Sequence, residues 1–164
     1  MKRLLSPVVI IIMVTIMFGQ AFAGGDAKSN PISDHFNEIF SRDLSQMEMN
    51  DYSSMEALAW KAEFENACAR LKELLQYDED KAVVEKYKKS VIDGADAEMR
   101  LEMFRWDSLE EPPKNRRYGT GLVQGAGNAV TSVYKPACLN IVDLIENCCE
   151  TEYKWIFKPE NSGK

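Results

Sequence analysis

Apolar residues recur every three or four positions along most of this chain, the spacing of one face of a helix. Phe36, Ile39, Phe40, Leu44 and Met47 form the first stripe, with Ser33 or Asp34 available as its N-cap. "SSME" (Ser53 to Glu56) has the Ser-x-x-Glu form of a capping box. Behind it Trp60, Phe64, Ala67, Cys68, Leu71, Leu74 and Leu75 predict a helix reaching Tyr77. "YDED" interrupts, and Val83, Val84, Tyr87 and Val91 predict a third helix ended by Asp93-Gly94. A fourth carries Met99, Met103, Trp106 and Leu109 until Pro112-Pro113 stops it.

From Glu111 to Asn128 the pattern disappears. "KNRRYGTGLVQGAGN" combines four glycines with a basic cluster and reads as a loop. Val130 to Tyr134 predict a helical turn or a short strand. Pro136 suits the first turn of a last helix through "ACLNIVDLIENCCETEYKWIF". No internal repeat and no strand series emerges. The expected fold is all-α: a single small domain of about five helices, stapled by a disulfide.

The chain opens with a layout that changes this picture. Lys2 and Arg3 precede the uncharged apolar run Pro7 to Phe18, and Ala21-Phe22-Ala23 places small residues before Gly24. These are the three parts of a secretory signal peptide. The apolar run falls short of the ~20 residues a spanning helix needs, so no stable membrane anchor is expected. Residues 1–23 are read as a cleaved signal and 24–32 as a mobile leader. Residues 33–158 form the helical domain with its glycine-rich loop at 111–128, and 159–164 a disordered tail. The expected location is periplasmic or secreted.

Charge narrows the partners. Without Lys2 and Arg3, 18 Lys+Arg face 26 Asp+Glu, a net charge of −8. That balance argues against nucleic acid, whose phosphates demand Lys and Arg. It suits a cationic protein partner, because opposite fields speed encounter.

Export also changes how Cys68, Cys138, Cys148 and Cys149 are read. Four cysteines in an exported chain point to disulfides rather than to metal or thiol catalysis. Within one straight helix, Cys138 and Cys148 would lie ten residues apart, roughly 15 Å at ~1.5 Å per residue. A disulfide needs Cα atoms within about 7 Å, so an intact helix forbids that bond. Cys68 is therefore expected to bond to the last helix. The others are left with a broken helix near Leu144 to Glu146, a vicinal ring or unpaired thiols. Zinc and iron–sulfur sites space their ligands more widely than "CC", and no metal or other cofactor is expected.

Other chemistry finds little support. His35 is the one histidine, which leaves a Ser-His-Asp or Cys-His site little to draw on. "GTGLVQGAG" puts Gln124 where a dinucleotide loop has its third glycine, and it lacks a P-loop's Gly-Lys-Ser/Thr ending. Carboxylates crowd "YDED", "SLEE" and "CCETE", but at this density they read as solvated faces. Trp60, Trp106 and Trp155 sit in apolar stripes and read as core. The loop is the better candidate: Arg116, Arg117 and Tyr118 lead to a tip bearing Leu122 and Val123, which could enter a partner's groove.

Three stretches carry a family resemblance. "AEFENACARLKELLQYDEDKAVVEKYKK" contains Asn66-Ala67-Cys68-Ala69, and "EMFRWDSLE" contains Phe104-Arg105. A glycine-containing segment precedes "ACLNIVDLIENC". Together these resemble the small exported domain of the LprI-type lysozyme-inhibitor family, with its Asn-x-Cys-Ala, Trp-x-x-Tyr/Phe-Arg-Asp and Cys-Leu helix motifs. Leu101 stands at the tryptophan position, and Asp107 is displaced by one. The resemblance implies an exported helical domain without enzymatic activity that occludes a lysozyme-like, basic cell-wall hydrolase. An immunity protein against a secreted toxin, or a structural envelope protein, is the alternative.

Overall fold

The computed structural model describes residues 30–107 and 121–159, with the side chains of 104–107, Trp106 among them, left out. The signal and leader through residue 29, Arg116, Arg117, Tyr118 and residues 160–164 lie outside the described residues. Four α-helices follow in order: α1 (Pro31–Phe40), α2 (Gln46–Leu74), α3 (Asp78–Asp107) and α4 (Gly121–Asp143). A π-helical turn, Leu144–Cys148, ends α4. The described residues contain no strand. The all-α expectation holds, and the described residues contain four α-helices where about five were expected.

Each helix start has a local cause. Asn30 caps α1 by accepting the Ser33 N–H at 2.8 Å, and Pro31 fills a first-turn position. The N-cap is therefore neither Ser33 nor Asp34. Ile32, Phe36 and Ile39 then turn one face inward. The capping box of α2 is Ser45–Glu48: the Glu48 N–H donates to Ser45 Oγ at 3.3 Å, and the Ser45 N–H donates to Glu48 Oε2 at 2.9 Å. Ser53, expected to cap, is instead buried in mid-helix. Acidic Asp78, Glu79 and Asp80 occupy the first turn of α3, where the helix dipole favours negative charge.

Two expected breaks do not occur. Gly94 was expected to end a helix at Asp93-Gly94, yet α3 runs through it for 30 residues. Val84, Val91 and Ala95 are buried on both sides of that glycine, and their packing offsets its backbone entropy. Gly121 to Asn128, expected as the second half of a loop, are the first two turns of α4. Pro136, expected at a helix start, lies inside α4 with its ring turned to solvent.

The glycines of α4 have a packing role. A Cβ on Gly127 would lie 2.5 Å from Ser53 Oγ and 2.9 Å from Ser53 O. The two backbones can meet there because neither residue carries bulk. Ser53 Oγ lies 3.1 Å from Gln124 O and 2.9 Å from Asn128 Oδ1. On the other side of α4, a Cβ on Gly125 would stand 3.0 Å from Glu102 Oε1. So α4 is the central helix, held between α2 and α3.

The core forms along this junction. Trp60, Phe64, Ala67, Cys68 and Leu71 of α2 meet Tyr134, Ala137, Cys138, Ile141, Val142 and, beyond α4, Ile145. The Phe64 ring packs 5.7 Å from Tyr134 and 6.2 Å from Tyr87 of α3. Trp60 is fully buried, and its Nε1–H donates to Glu56 at 3.3 Å.

The two glycine environments predict opposite outcomes. A Cβ at Gly94 would meet nothing within 4 Å, so Gly94→Ala should stabilise the fold by about 0.5–1 kcal/mol. Gly127→Ala should destabilise it by about 1–3 kcal/mol, because Ser53 backbone must give way. Urea denaturation of both variants beside the parent checks the pair.

Candidate functional site

Beyond the π turn the chain does not continue as a helix through Trp155, as the apolar spacing had suggested. Glu150, the one described non-glycine residue with positive φ, sits at φ 50° and redirects the backbone. Thr151 to Pro159 then form an irregular strap with alternating exposure. Tyr153 is buried and Trp155 and Phe157 are half-buried, while Glu152, Lys154, Ile156 and Lys158 face solvent.

Glu63 of α2 holds this strap. It is fully buried, and its hydrogen-bond donors among the described residues come from the strap. Tyr153 Oη–H donates to Glu63 Oε1 at 2.6 Å, and the Phe157 N–H donates to Oε2 at 2.9 Å. The Ile156 N–H lies between the two oxygens, at 3.1 and 3.2 Å. Asn66 Nδ2 in turn donates to Tyr153 Oη at 2.8 Å. Burial first, and then the Glu63 carboxylate accepting its proton, push the Tyr153 hydroxyl well above the ordinary phenol range. Tyr153 therefore stays protonated and donating.

Aromatic contacts complete the attachment. Trp155 packs edge-on to Trp60 with ring centroids 6.3 Å apart, and to Tyr153 at 5.4 Å. Phe157 reaches α1, 6.1 Å from Phe36 and 5.6 Å from His35. His35 is thus half-buried in an aromatic cluster. Lys135 Nζ stands 5.6 Å from the Trp60 ring centroid on another side, within cation–π range. The carboxylate has no opening to solvent. Its chemistry here is fastening, not proton transfer to a substrate.

The expected site residues are scattered. Leu122 is buried against the core, and Val123 is 48% exposed one residue later. They form the first turn of α4, not a protruding tip. All four cysteines are free thiols, so the expected bond from Cys68 to the last helix is absent. Cys68 and Cys138 are buried on facing helices and fill space as small apolar side chains do. Burial pushes the Cys68 thiol up to about 12, and raises Cys138 in the same direction. Cys148 is exposed and Cys149 half-buried, both at the end of the π turn.

What faces outward is more suggestive. Met47, Met55 and Leu58 are 71%, 49% and 66% exposed along one outer face of α2, opposite its core residues. Exposed Ala62 extends this face, and Asp51 and Glu65 lie on it without an ion-pair partner among the described residues. The two best-formed depressions are open grooves of about 420 and 550 Å³. The first runs beside the strap past Asn66, Arg70 and Lys154. The second lies between the α1–α2 turn and α4, past Arg42, Met49 and Gln124.

Comparison with known proteins adds no relative. No family model, curated protein or solved structure matches this chain. Among the described residues, no group of three or more His, Cys, Asp or Glu could hold a metal ion. No described helix is long and apolar enough to cross a membrane.

The clasp predicts a specific failure. Glu63→Gln keeps the shape but turns an amide N–H₂ toward the N–H and O–H donors of the strap. Losing charge-assisted bonds of about 1.5–3 kcal/mol each should destabilise the fold and speed tryptic cleavage at Lys154. Tyr153→Phe should show the same pattern at smaller size. Urea denaturation and timed proteolysis measure both effects.

The buried thiols predict an alkaline limit. Folded Cys68 keeps its proton up to about 12, whereas its ordinary value is 9.0. Above pH 9 the unfolded chain binds fewer protons than the folded one, so stability falls as pH rises toward 12. Urea midpoints measured from pH 8 to 11 should drop, and Cys68→Ala should flatten that slope while lowering stability at neutral pH.

Proposed function

We propose that this chain is an exported, non-enzymatic binding protein that inhibits a basic, lysozyme-like wall hydrolase by covering its cleft. The observation that carries the reading is the outer face of α2. Met47, Met55, Leu58 and Ala62 present apolar surface on a helix whose opposite side is already committed to the core. Exposed methionines adapt to a partner's contours because the side chain is unbranched and polarisable. Asp51 and Glu65 on the same face favour a cationic partner, and the net charge of −8 without the signal residues extends that preference over the molecule.

Other features support the reading. The signal-like start of the chain supports export to the compartments where wall hydrolases act. The sequence resemblance to LprI-type inhibitors points to the same target class. The sealed Glu63 leaves the most deeply placed carboxylate of the fold without access to a substrate. Occlusion by a preformed helical surface needs only shape and charge, and it loses little conformational entropy on binding.

Turbidimetric lysis assays with purified mature protein and several lysozyme types test this directly. Micromolar protein should slow lysis, and added salt should weaken the effect by screening the opposed charges. Leu58→Glu should raise the half-inhibitory concentration at least tenfold while leaving the urea midpoint unchanged. Full lysis at micromolar protein with every lysozyme type removes the inhibitor reading.

A further inference from the structure

We propose that Cys148 and Cys149 form a redox-active vicinal dithiol, which closes to a disulfide by exchange with a small-molecule or protein disulfide. The inference does not depend on the partner-binding reading. It rests on where the π turn leaves these two residues and on how the other two thiols are sealed.

A regular α-helix turns adjacent side chains about 100° apart, which keeps neighbouring sulfurs from meeting. This helix has stopped being regular where the pair occurs. The Cys149 N–H donates to Leu144 O at 3.2 Å, a bond spanning five residues, and the Thr151 N–H donates to Ile145 O at 3.2 Å. Cys149 itself sits at φ −98°, ψ 0°, on the sparsely populated margin of helical space. Glu150 follows at φ 50°. The pair thus straddles the exit from helical backbone, and π turns recur at functional sites.

Access selects the same pair. The thiolate is the nucleophile in exchange, and Cys68 and Cys138 are buried within the core. Cys148 is exposed, so an incoming disulfide can reach it. Cys149 packs partly against the core, in place to resolve an adduct rather than form the first one.

The steps balance. Cys148 thiolate attacks a disulfide RSSR, forming Cys148–S–S–R and releasing one RS⁻, which takes up the proton Cys148 gave up. Cys149 then attacks the Cys148 sulfur, closing the ring and releasing the second RSH. Two protein thiols are oxidised and one disulfide is reduced to two thiols. Consecutive Cα atoms lie about 3.8 Å apart across a trans peptide, closer than the ~4.4–6.8 Å of ordinary disulfides. Such a ring is strained and readily reopened by thiols. It acts as a switch rather than a staple.

Its position gives the switch something to act on. Thr151 Oγ1–H donates to Cys149 O at 3.0 Å, and Tyr153 enters the Glu63 clasp two residues later. Ring closure resets the backbone at the root of the strap.

Specific digestion isolates the pair. Cleavage after Glu146 and Glu150 releases Asn147–Glu150, which contains Cys148 and Cys149 and no other cysteine. Full-length protein, reduced and then exposed natively to glutathione disulfide, is quenched, alkylated, digested and weighed. The expected tetrapeptide lacks two hydrogens, carries no alkyl group, and returns to the doubly alkylated form after reduced glutathione precedes the quench. Cys149→Ser should instead retain one glutathione on Cys148. The proposal is overturned by a doubly alkylated or glutathione-bearing tetrapeptide from the parent protein. A link to a peptide containing Cys68 or Cys138, or to a second copy, overturns it equally.

Discussion

The attachment of Glu63 to the strap is the constraint on which the rest of this structure depends. A carboxylate removed from water costs several kcal/mol unless its oxygens are satisfied. Here every donor to it among the described residues comes from Tyr153, Ile156 and Phe157, residues about 90 positions downstream. Sliding the strap by one residue would put Glu152 or Lys154 in place of Tyr153 and turn its buried and exposed side chains over. That would carry a second charge into the core and Tyr153, Trp155 and Phe157 out of it. The clasp therefore fixes register as well as attachment. That register sets Trp155 against Trp60 and Phe157 against Phe36 and His35 of α1. The strap adds these aromatic contacts to the packing of Ile32, Phe36 and Ile39 in the core.

The same dependence explains which parts of the fold were legible in the sequence. Helical spacing identified helices at α1, α2 and the two halves of α3, because apolar stripes are local and repeat within each element. It ran the first stripe on, however, through Leu44 and Met47, which lie in the turn and in α2. Gly94 was misread because a glycine's local cost is visible, whereas the buried Val91 and Ala95 that outweigh it act through tertiary packing. The Gly-rich start of α4 was misread for a related reason. Its glycines mark the close approach of Ser53, and no local pattern says which distant backbone a glycine makes room for. Pro136 was assigned a start it does not occupy, since a proline ring on the solvent side of a longer helix leaves the same trace.

The strap was harder still. Tyr153, Trp155 and Phe157 alternate, but "KWIF" also continues the helical spacing of the segment before it. The deciding partner is a glutamate in the middle of an apolar stripe, in "KAEFENAC". A charged residue flanked by buried Ala57, Trp60, Phe64 and Ala67 was the available signal, and it pointed to a buried ionic contact of unknown address. The cysteines were read in the reverse order. Adjacent Cys148 and Cys149 showed that an intact straight helix was incompatible with pairing, and the π turn is where that helix gives way. The free thiols of Cys68 and Cys138 show that burial on facing helices does not by itself make a bond.

The packed and the exposed apolar residues of α2 occupy opposite sides of one helix. The inner side of α2 carries Trp60, Phe64 and the buried Glu63, whose environments tolerate little change. The outer side carries Met47, Met55 and Leu58, which are exposed and so vary at little cost to folding. Apolar residues on both sides explain why α2 is weakly amphipathic despite its length, a pattern that calls for something to cover the second side. Among the described residues, the strap covers the inner margin and nothing covers the outer one. Met47, Met55 and Leu58 are exposed on the side of α2 away from Glu63, so this apolar face and the clasp are mechanically separated. Selection on that surface could then proceed without disturbing the clasp.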